Sequence, residues 1–265
     1  MSWLAYGPDR PLLVVGPSLG TSVERIWGAV AAQLEGWNVI GWDLPGHGAS
    51  PAPGPLAKLT IADLAAAVVQ AVNDITGGAH AFVYAGDSVG GAVGLQLALD
   101  HPGRITGLAM MCSAAAFGTS AGWHERAILV RREGMAPMVE SSPARWFGPI
   151  ITASGDGRCR AALCDLAEVE PEGYALVCEA LAGYDLRPRL ESVRVPLLAV
   201  AGADDLATPP QTLAEITDQV SDGRLEVLPG VGHLAPYEAP EAVAGLLREW
   251  TTARVTGCDT EADRA

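Results

Sequence analysis

The pentapeptide Gly86-Asp87-Ser88-Val89-Gly90 constrains this chain more than any other stretch, because it sets a serine in a turn that few folds can build. An apolar run, Ala81-Phe82-Val83-Tyr84-Ala85, precedes it and reads as a buried strand. The residues from Gly91 to Leu99 follow with helical composition. Strand, Gly-x-Ser-x-Gly and helix in succession are the context of a nucleophile elbow. The flanking glycines let strand and helix approach closely, while the serine takes a strained, exposed corner. Its hydroxyl then lies at the N-terminus of the helix, where developing negative charge is stabilised. A glycine-rich turn with an incidental serine is the plain alternative, and the strand and helix on either side argue against it.

A serine hydroxyl is a weak nucleophile until a base takes its proton and a third group orients that base. Downstream, Pro196-Leu197-Leu198-Ala199-Val200 reads as a buried strand running into Ala201-Gly202-Ala203-Asp204-Asp205, a glycine turn with two carboxylates. A shorter strand, Leu225 to Leu228, leads into Pro229-Gly230-Val231-Gly232-His233. His233 is the base candidate. Asp204 and Asp205 compete for the orienting role, and the other is an ordinary turn aspartate. His47, in a glycine-rich loop near the expected site, is a candidate to line the pocket but reads first as a surface turn residue. His80 and His101 flank element ends in capping or solvated roles.

Hydrophobic periodicity places strands at 11–15, 38–42, 81–85, 105–112, 195–201 and 224–228, and helices near 22–35, 60–76, 90–101, 209–220 and 239–253. This alternation predicts an α/β fold with a mostly parallel central sheet covered by helices on both faces. Ser88, the two aspartates and His233 all follow strand C-terminal ends, where ligands bind in open α/β sheets. Residues 118–188 break the alternation with helix-like stretches and the aromatic anchors Trp123, Trp146 and Tyr174. They are expected to form an inserted helical cap between core segments 1–117 and 189–255. Residues 256–265 are expected to be a flexible polar tail.

At 265 residues, 49% of them hydrophobic, the chain can bury one large α/β core. A net charge of −14 argues against a nucleic-acid partner and against docking on acidic membranes. No uninterrupted apolar run approaches a membrane-spanning length. The N-terminal decapeptide, Met1 to Arg10, lacks the basic region and apolar core of a secretory signal, so the cytoplasm is the expected compartment. Cysteines at 112, 159, 164, 178 and 258 are odd in number and irregular in spacing. They do not form a disulfide framework, and Cys159 and Cys164, without a second pair or a histidine nearby, suggest no zinc site and read as small packing residues. No metal or organic cofactor is expected, and a homo-oligomer is compatible with the sequence.

Beyond the elbow and the two downstream loops, Trp42-Asp43-Leu44-Pro45-Gly46-His47-Gly48-Ala49-Ser50 is similar to the Gly-x-Gly-x-Ser loop of the α/β-hydrolase superfamily. Within that superfamily the chain resembles the 3-oxoadipate enol-lactonases. Pro17-Ser18-Leu19-Gly20-Thr21 is similar to the Asn-Ser-Leu-Gly-Thr of those enzymes. Arg145-Trp146-Phe147, Glu172-Gly173-Tyr174, Tyr184-Asp185-Leu186-Arg187 and Ala207-Thr208-Pro209-Pro210 carry the rest of the likeness. The resemblance implies the α/β-hydrolase fold and the chain order Ser, Asp, His. It places the acid three residues after the strand-end glycine, at Asp205, and the oxyanion donors at the backbone N–H groups of Leu19 and Val89.

The implied substrate is a small lactone or ester opened through an acyl-enzyme, most directly 3-oxoadipate enol-lactone giving 3-oxoadipate. Carboxylesterases, cofactor-free perhydrolases and carbon–carbon bond hydrolases share the scaffold, and a non-catalytic ligand-binding protein is a further alternative. An enol-lactone carries a free carboxylate, which calls for a local cation. Arg126, Arg131, Arg132 and Arg145 in the cap are candidates. Arg145, beside Trp146, is the first choice, with Trp123 and His124 as further substrate contacts. The chain departs from the family at Pro17 and at Asp87, which stands where those enzymes usually have leucine and adds a carboxyl beside the nucleophile.

The two aspartates make different predictions. Asp205→Asn should lower the hydrolysis rate by on the order of 10⁴, as loss of a triad acid does, while Asp204→Asn should cost far less. Turnover measured on one activated ester with both variants checks the assignment, and a reversed order would transfer the role to Asp204.

Overall fold

The computed structural model describes residues 1–7, 10–52, 54 and 58–262. An edge strand β1 (Ser2–Ala5) opens the chain, followed by β2 (Leu12–Gly16), α1 (Val23–Ala31), β3 (Asn38–Gly41), α2 (Ile61–Thr76), β4 (Phe82–Asp87), α3 (Val89–Asp100) and β5 (Ile105–Met111). Six helices then intervene: α4 (Ser120–Glu133), α5 (Ala136–Ser141), α6 (Pro143–Trp146), α7 (Pro149–Ser154), α8 (Arg158–Glu168) and α9 (Pro171–Ala182). The core resumes with β6 (Leu197–Gly202), α10 (Pro210–Thr217), β7 (Gly223–Leu228), α11 (Ala235–Glu238) and α12 (Pro240–Ala262). Every expected strand and core helix is present within a few residues of its expected bounds except at the end of α12, which is expected at 253 and runs to Ala262. The polar segment expected as a tail from Thr256 is helical backbone as far as Ala262, and residues 263–265 lie outside the described residues.

The sheet runs β1-β3-β2-β4-β5-β6-β7, and every neighbouring pair is parallel except β1 with β3. The edge strand β1 escapes a reading based on apolar runs because it is four residues long and faces outward. Ladder bonds to β3 hold it. From β2 the chain winds outward to β3, crosses back to β4, and then proceeds the other way through β5, β6 and β7. The reversal of direction falls between β2 and β4, so their following loops diverge and leave a crevice at the strand C-terminal ends.

Helices cover the sheet for reasons visible in their residues. On α1, Val23, Ile26, Trp27 and Val30 repeat at helical spacing and are buried, and Ser22 caps the first turn by accepting from Arg25 N–H. A capping box between Thr60 and Asp63 starts α2. Apolar residues surround α3 instead of forming a stripe, and all of its residues from Val89 to Ala98 are buried. That helix packs between α2 and the strands β2, β4 and β5, which explains its lack of a polar face. Arg131 on α4 pairs with Glu172 and Glu179 on α9, and Arg25 on α1 pairs with Asp165 on α8. Leu186 N–H donates to Ala115 O at 2.8 Å where the chain returns to the core. Cys164, expected to pack inside, is exposed, because Ala162 and Leu166 occupy the inward face of α8.

Trp27 joins this packing to the crevice, since its indole N–H donates to Gly16 O, at the end of β2, at 2.8 Å. Trp27→Phe keeps an aromatic ring but leaves that buried carbonyl without its donor. The expected cost is about 1–3 kcal/mol, which thermal unfolding would record as a fall of several degrees in Tm.

Candidate active site

Ser88 follows directly on β4 and holds φ 52° and ψ −115°, a left-handed conformation that costs a non-glycine residue on the order of 1–3 kcal/mol. Three features hold it there. Ser88 N–H donates to Met111 O at 2.8 Å, and Ser113 Oγ donates to Ser88 O at 2.7 Å. The first turn of α3 also lies directly on the end of β2, where Gly90 N–H donates to Pro17 O at 3.0 Å. A Cβ on Gly90 would come within 2.6 Å of the Gly16 carbonyl carbon, so only glycine permits that approach.

The loops after β6 and β7 bring Asp205 and His233 to the same place. His233 Nε2 lies 2.9 Å from Ser88 Oγ, and His233 Nδ1 lies 2.9 Å from Asp205 Oδ2. An ionised carboxylate only accepts, so Nδ1 carries the proton and Nε2 is left to accept from the serine hydroxyl. Asp205 is oriented in turn by Ala207 N–H at 2.8 Å, Thr208 N–H at 3.0 Å and the Thr208 hydroxyl at 2.8 Å. Burial by itself would raise the Asp205 carboxyl, but the charge and hydrogen bond of His233, with the bonds from Thr208, hold it below the usual aspartate value. Asp204 is exposed and turns away, its N–H bonded to Val231 O. Thr208 belongs to a stretch matched by resemblance, but its grip on the acid was not read from the sequence. An Asp followed by Thr three residues on in a turn is the signal that points to it.

A cavity of about 330 Å³ opens on Ser88 and His233. Leu19, Trp123, Trp146 and Arg145 line it as expected, and so do Phe117, Tyr174 and Arg126. Val89 is buried behind the serine. His124 is a correction. It is exposed, its Nδ1 lies against Ser120 O, and it does not line the cavity. On α4, residues 123 and 126 share the inward face, and residue 124 is turned about 100° from its neighbour.

Arg131 and Arg132 are paired with glutamates, whereas Arg126 and Arg145 have no carboxylate partner among the described residues. Arg126 stacks over the Trp123 ring at 4.7 Å, and Arg145 donates to Ser141 Oγ at 3.2 Å. Burial, and then repulsion from Arg126, lower the proton affinity of the Arg145 guanidinium. His47 is buried and not a surface residue. Its ring stacks on Tyr174, and burial pushes the imidazole down to about 4, so it is neutral. Among the described residues no three His, Cys, Asp or Glu side chains group as metal ligands, and no helix is long and apolar enough to cross a membrane.

Comparison with known proteins agrees with this geometry. The model of the alpha/beta hydrolase family matches residues 12–246. The chain is 34% identical to 3-oxoadipate enol-lactonase 2 of Acinetobacter baylyi, over 91% of this chain and 89% of that protein. It is 30% identical to the pimeloyl-[acyl-carrier protein] methyl ester esterase of Aromatoleum aromaticum, over 91% and 98% of the two chains. The crystal structure of the enol-lactonase from Burkholderia xenovorans superposes with a TM-score of 0.85 at 30% identity, covering 92% of each chain.

Asp87, at the end of β4, is fully buried, and neither carboxyl oxygen has a hydrogen-bond partner of good geometry among the described residues. Burial, followed by repulsion from Asp205 and Glu238, raises its pKa well above the usual aspartate value, opposed only by Ser18. A carboxyl whose folded pKa lies above its unfolded value of about 3.9 binds protons more tightly in the folded state, so stability falls as pH rises past that value. Asp87→Asn removes this titration. The Tm of the variant relative to wild type should therefore rise between pH 4 and pH 7.5, and a constant difference across that range would show that Asp87 is not held neutral.

Proposed function

The chain belongs to the alpha/beta hydrolase family, and on that premise we propose that it is a serine hydrolase that opens a small carboxylate-bearing lactone, 3-oxoadipate enol-lactone, to 3-oxoadipate. The observation that carries the substrate class is the pair of guanidiniums, Arg145 and Arg126, which share a cavity with Ser88 and His233 and lack carboxylate partners among the described residues. In an acidic protein such a pair is a local exception, and an anionic ligand completes it. The identity to 3-oxoadipate enol-lactonase 2 supports the same reading.

The reaction follows from the hydrogen-bonded chain. Ser88 Oγ attacks the lactone carbonyl as its proton passes to His233 Nε2, 2.9 Å away. Asp205 fixes the ring orientation and stabilises the imidazolium. The N–H groups of Leu19 and Val89 receive the oxyanion, and the positive end of α3 adds to that stabilisation. Collapse breaks the ring C–O bond as His233 Nε2 gives its proton to the departing enolate oxygen, which leaves an acyl-serine and a neutral imidazole, and the enol so formed tautomerises to the ketone. His233 then takes a proton from water, which attacks the acyl carbon, and passes it to Ser88 Oγ as the acid departs. Arg145 and Arg126 hold the substrate carboxylate throughout, while Trp123 and Trp146 bury its carbon skeleton. Water is the only co-reactant.

Identity to a methyl ester esterase favours a second reading, in which the leaving group is a simple alcohol and the cavity takes a neutral ester. The arginines separate the two. Arg145→Ala should raise KM for the carboxylate-bearing enol-lactone by about tenfold to a hundredfold, the worth of one charge-assisted hydrogen bond, and should leave a neutral ester of similar size nearly unchanged. Steady-state kinetics on both substrates provide the check. Good turnover of neutral esters with none of the enol-lactone would leave the esterase reading in its place.

A further inference from the structure

Glu238, on the short helix after the His233 loop, is buried, and both of its carboxylate oxygens are occupied. Gly232 N–H lies 3.1 Å from each oxygen, Leu234 N–H lies 3.3 Å from Oε1, and Gly148 N–H lies 2.8 Å from Oε2. The first two donors flank His233. The third belongs to the inserted helices, three residues after Arg145. A second bond joins the same two segments, since His233 N–H donates to Trp146 O at 2.8 Å. The backbones also touch directly. A Cβ on Gly148 would lie 2.6 Å from Gly232 N and 2.8 Å from the Val231 carbonyl carbon. A Cβ on Gly232 would lie 2.6 Å from Gly148 N.

We infer that Glu238 is a positioning residue that locks the Arg145–Gly148 segment to the His233 loop, so that the cavity wall and the base move as one body. The inference rests on the serine-hydrolase reading above but not on the identity of the substrate. A carboxylate suits the task because it accepts from several N–H groups at once, whereas a glutamine amide presents one acceptor and one donor. In Glu238→Gln the NH₂ group faces an N–H, one contact turns repulsive, and the His233 loop loses either its own anchor or its tie to Gly148. Small displacements of a base are costly, because a misplacement of about 1 Å reduces a rate by roughly a hundredfold.

The test uses a neutral alkyl fluorophosphonate, which needs no carboxylate site. Ser88 Oγ displaces fluoride at phosphorus, and its proton passes to His233, so the labelling rate reports serine–histidine alignment directly. Glu238→Gln should slow labelling by about tenfold to a hundredfold at a temperature well below its own Tm. The kcat for a neutral aryl ester should fall in parallel with KM held within about twofold, a split that general loosening of the fold does not produce.

Gly148→Ala is the second variant. It keeps the carboxylate and wedges the two segments apart, and it should slow labelling in the same way. It also decides the matter if Glu238→Gln does not fold. Wild-type labelling rates in a folded variant of either kind would overturn the role of Glu238. Failure of the wild-type protein to label at Ser88 would overturn the serine-hydrolase reading and this inference with it.

Discussion

The contact between the first turn of α3 and the end of β2 is the constraint on which the rest of the site depends. It requires glycine at position 90, and it forces Ser88 into φ 52°, a conformation that opposes folding by on the order of 1–3 kcal/mol. Hydrogen bonds of about 0.5–1.5 kcal/mol each offset this. Ser88 N–H to Met111 O and Ser113 Oγ to Ser88 O act at the residue itself, and Gly90 N–H to Pro17 O acts two residues along. A buried relay continues beneath them, from the Trp42 indole to the Tyr84 hydroxyl and from that hydroxyl to Gly90 O. The strain and its compensation are comparable in size. The corner is therefore stable only as part of the packed sheet, and a peptide of the same sequence would not hold it.

Around that corner lie three buried carboxyl groups whose chemistry is set by their donors. Asp205 accepts from His233, Ala207 and Thr208 and stays ionised. Glu238 accepts from three backbone N–H groups, which oppose but do not cancel the upward push of burial, so its pKa lies above the usual glutamate value. Asp87 has no partner of good geometry and is driven toward the neutral acid. One residue class thus supplies an orienting anion, a structural clamp and an uncharged filler within one region. The difference lies in how many N–H groups the surrounding loops aim at each. A neutral Asp87 also explains how the chain tolerates a carboxyl where the enol-lactonases it resembles usually have leucine. In its protonated form it adds no charge beside the nucleophile.

Much of this was legible in the sequence because it depends on local pattern. The elbow, the strands expected at 11–15, 81–85 and 195–201, and the pairing of Ser88 with His233 all follow from period, glycine placement and chain order. The choice of Asp205 over Asp204 came from family spacing, and its physical basis is that one faces inward to four donors while the other is exposed. What the sequence did not show depends on helix phase or on distant partners. His124 and Arg126 are two residues apart on α4, and only the rotation of that helix against the core decides which one meets the cavity. Glu238 looks like an ordinary helix-end glutamate until Gly148, ninety positions earlier, is brought beside it. His47 reads as a turn residue because its own loop is glycine-rich, whereas in the structure it is buried and the Tyr174 ring from the inserted helices stacks on it.

The division of labour between core and insertion is accordingly incomplete. In a fully modular arrangement the core would carry the chemistry and the inserted helices would carry only the choice of substrate. Here Trp146 lends its side chain to the cavity and its carbonyl to the backbone of His233. Its neighbour Arg145 presents a guanidinium whose charge is unmatched among the described residues. Under the proposed function, a substrate carboxylate held by Arg145 would act on a segment one hydrogen bond away from His233. Binding energy gained at a non-reacting carboxylate can thereby be expressed as alignment at the reacting centre, the condition under which remote binding raises turnover and not affinity alone. The short path from Arg145 through Trp146 O to His233 N–H gives that coupling a physical route, and the carboxylate of Glu238 keeps the route rigid.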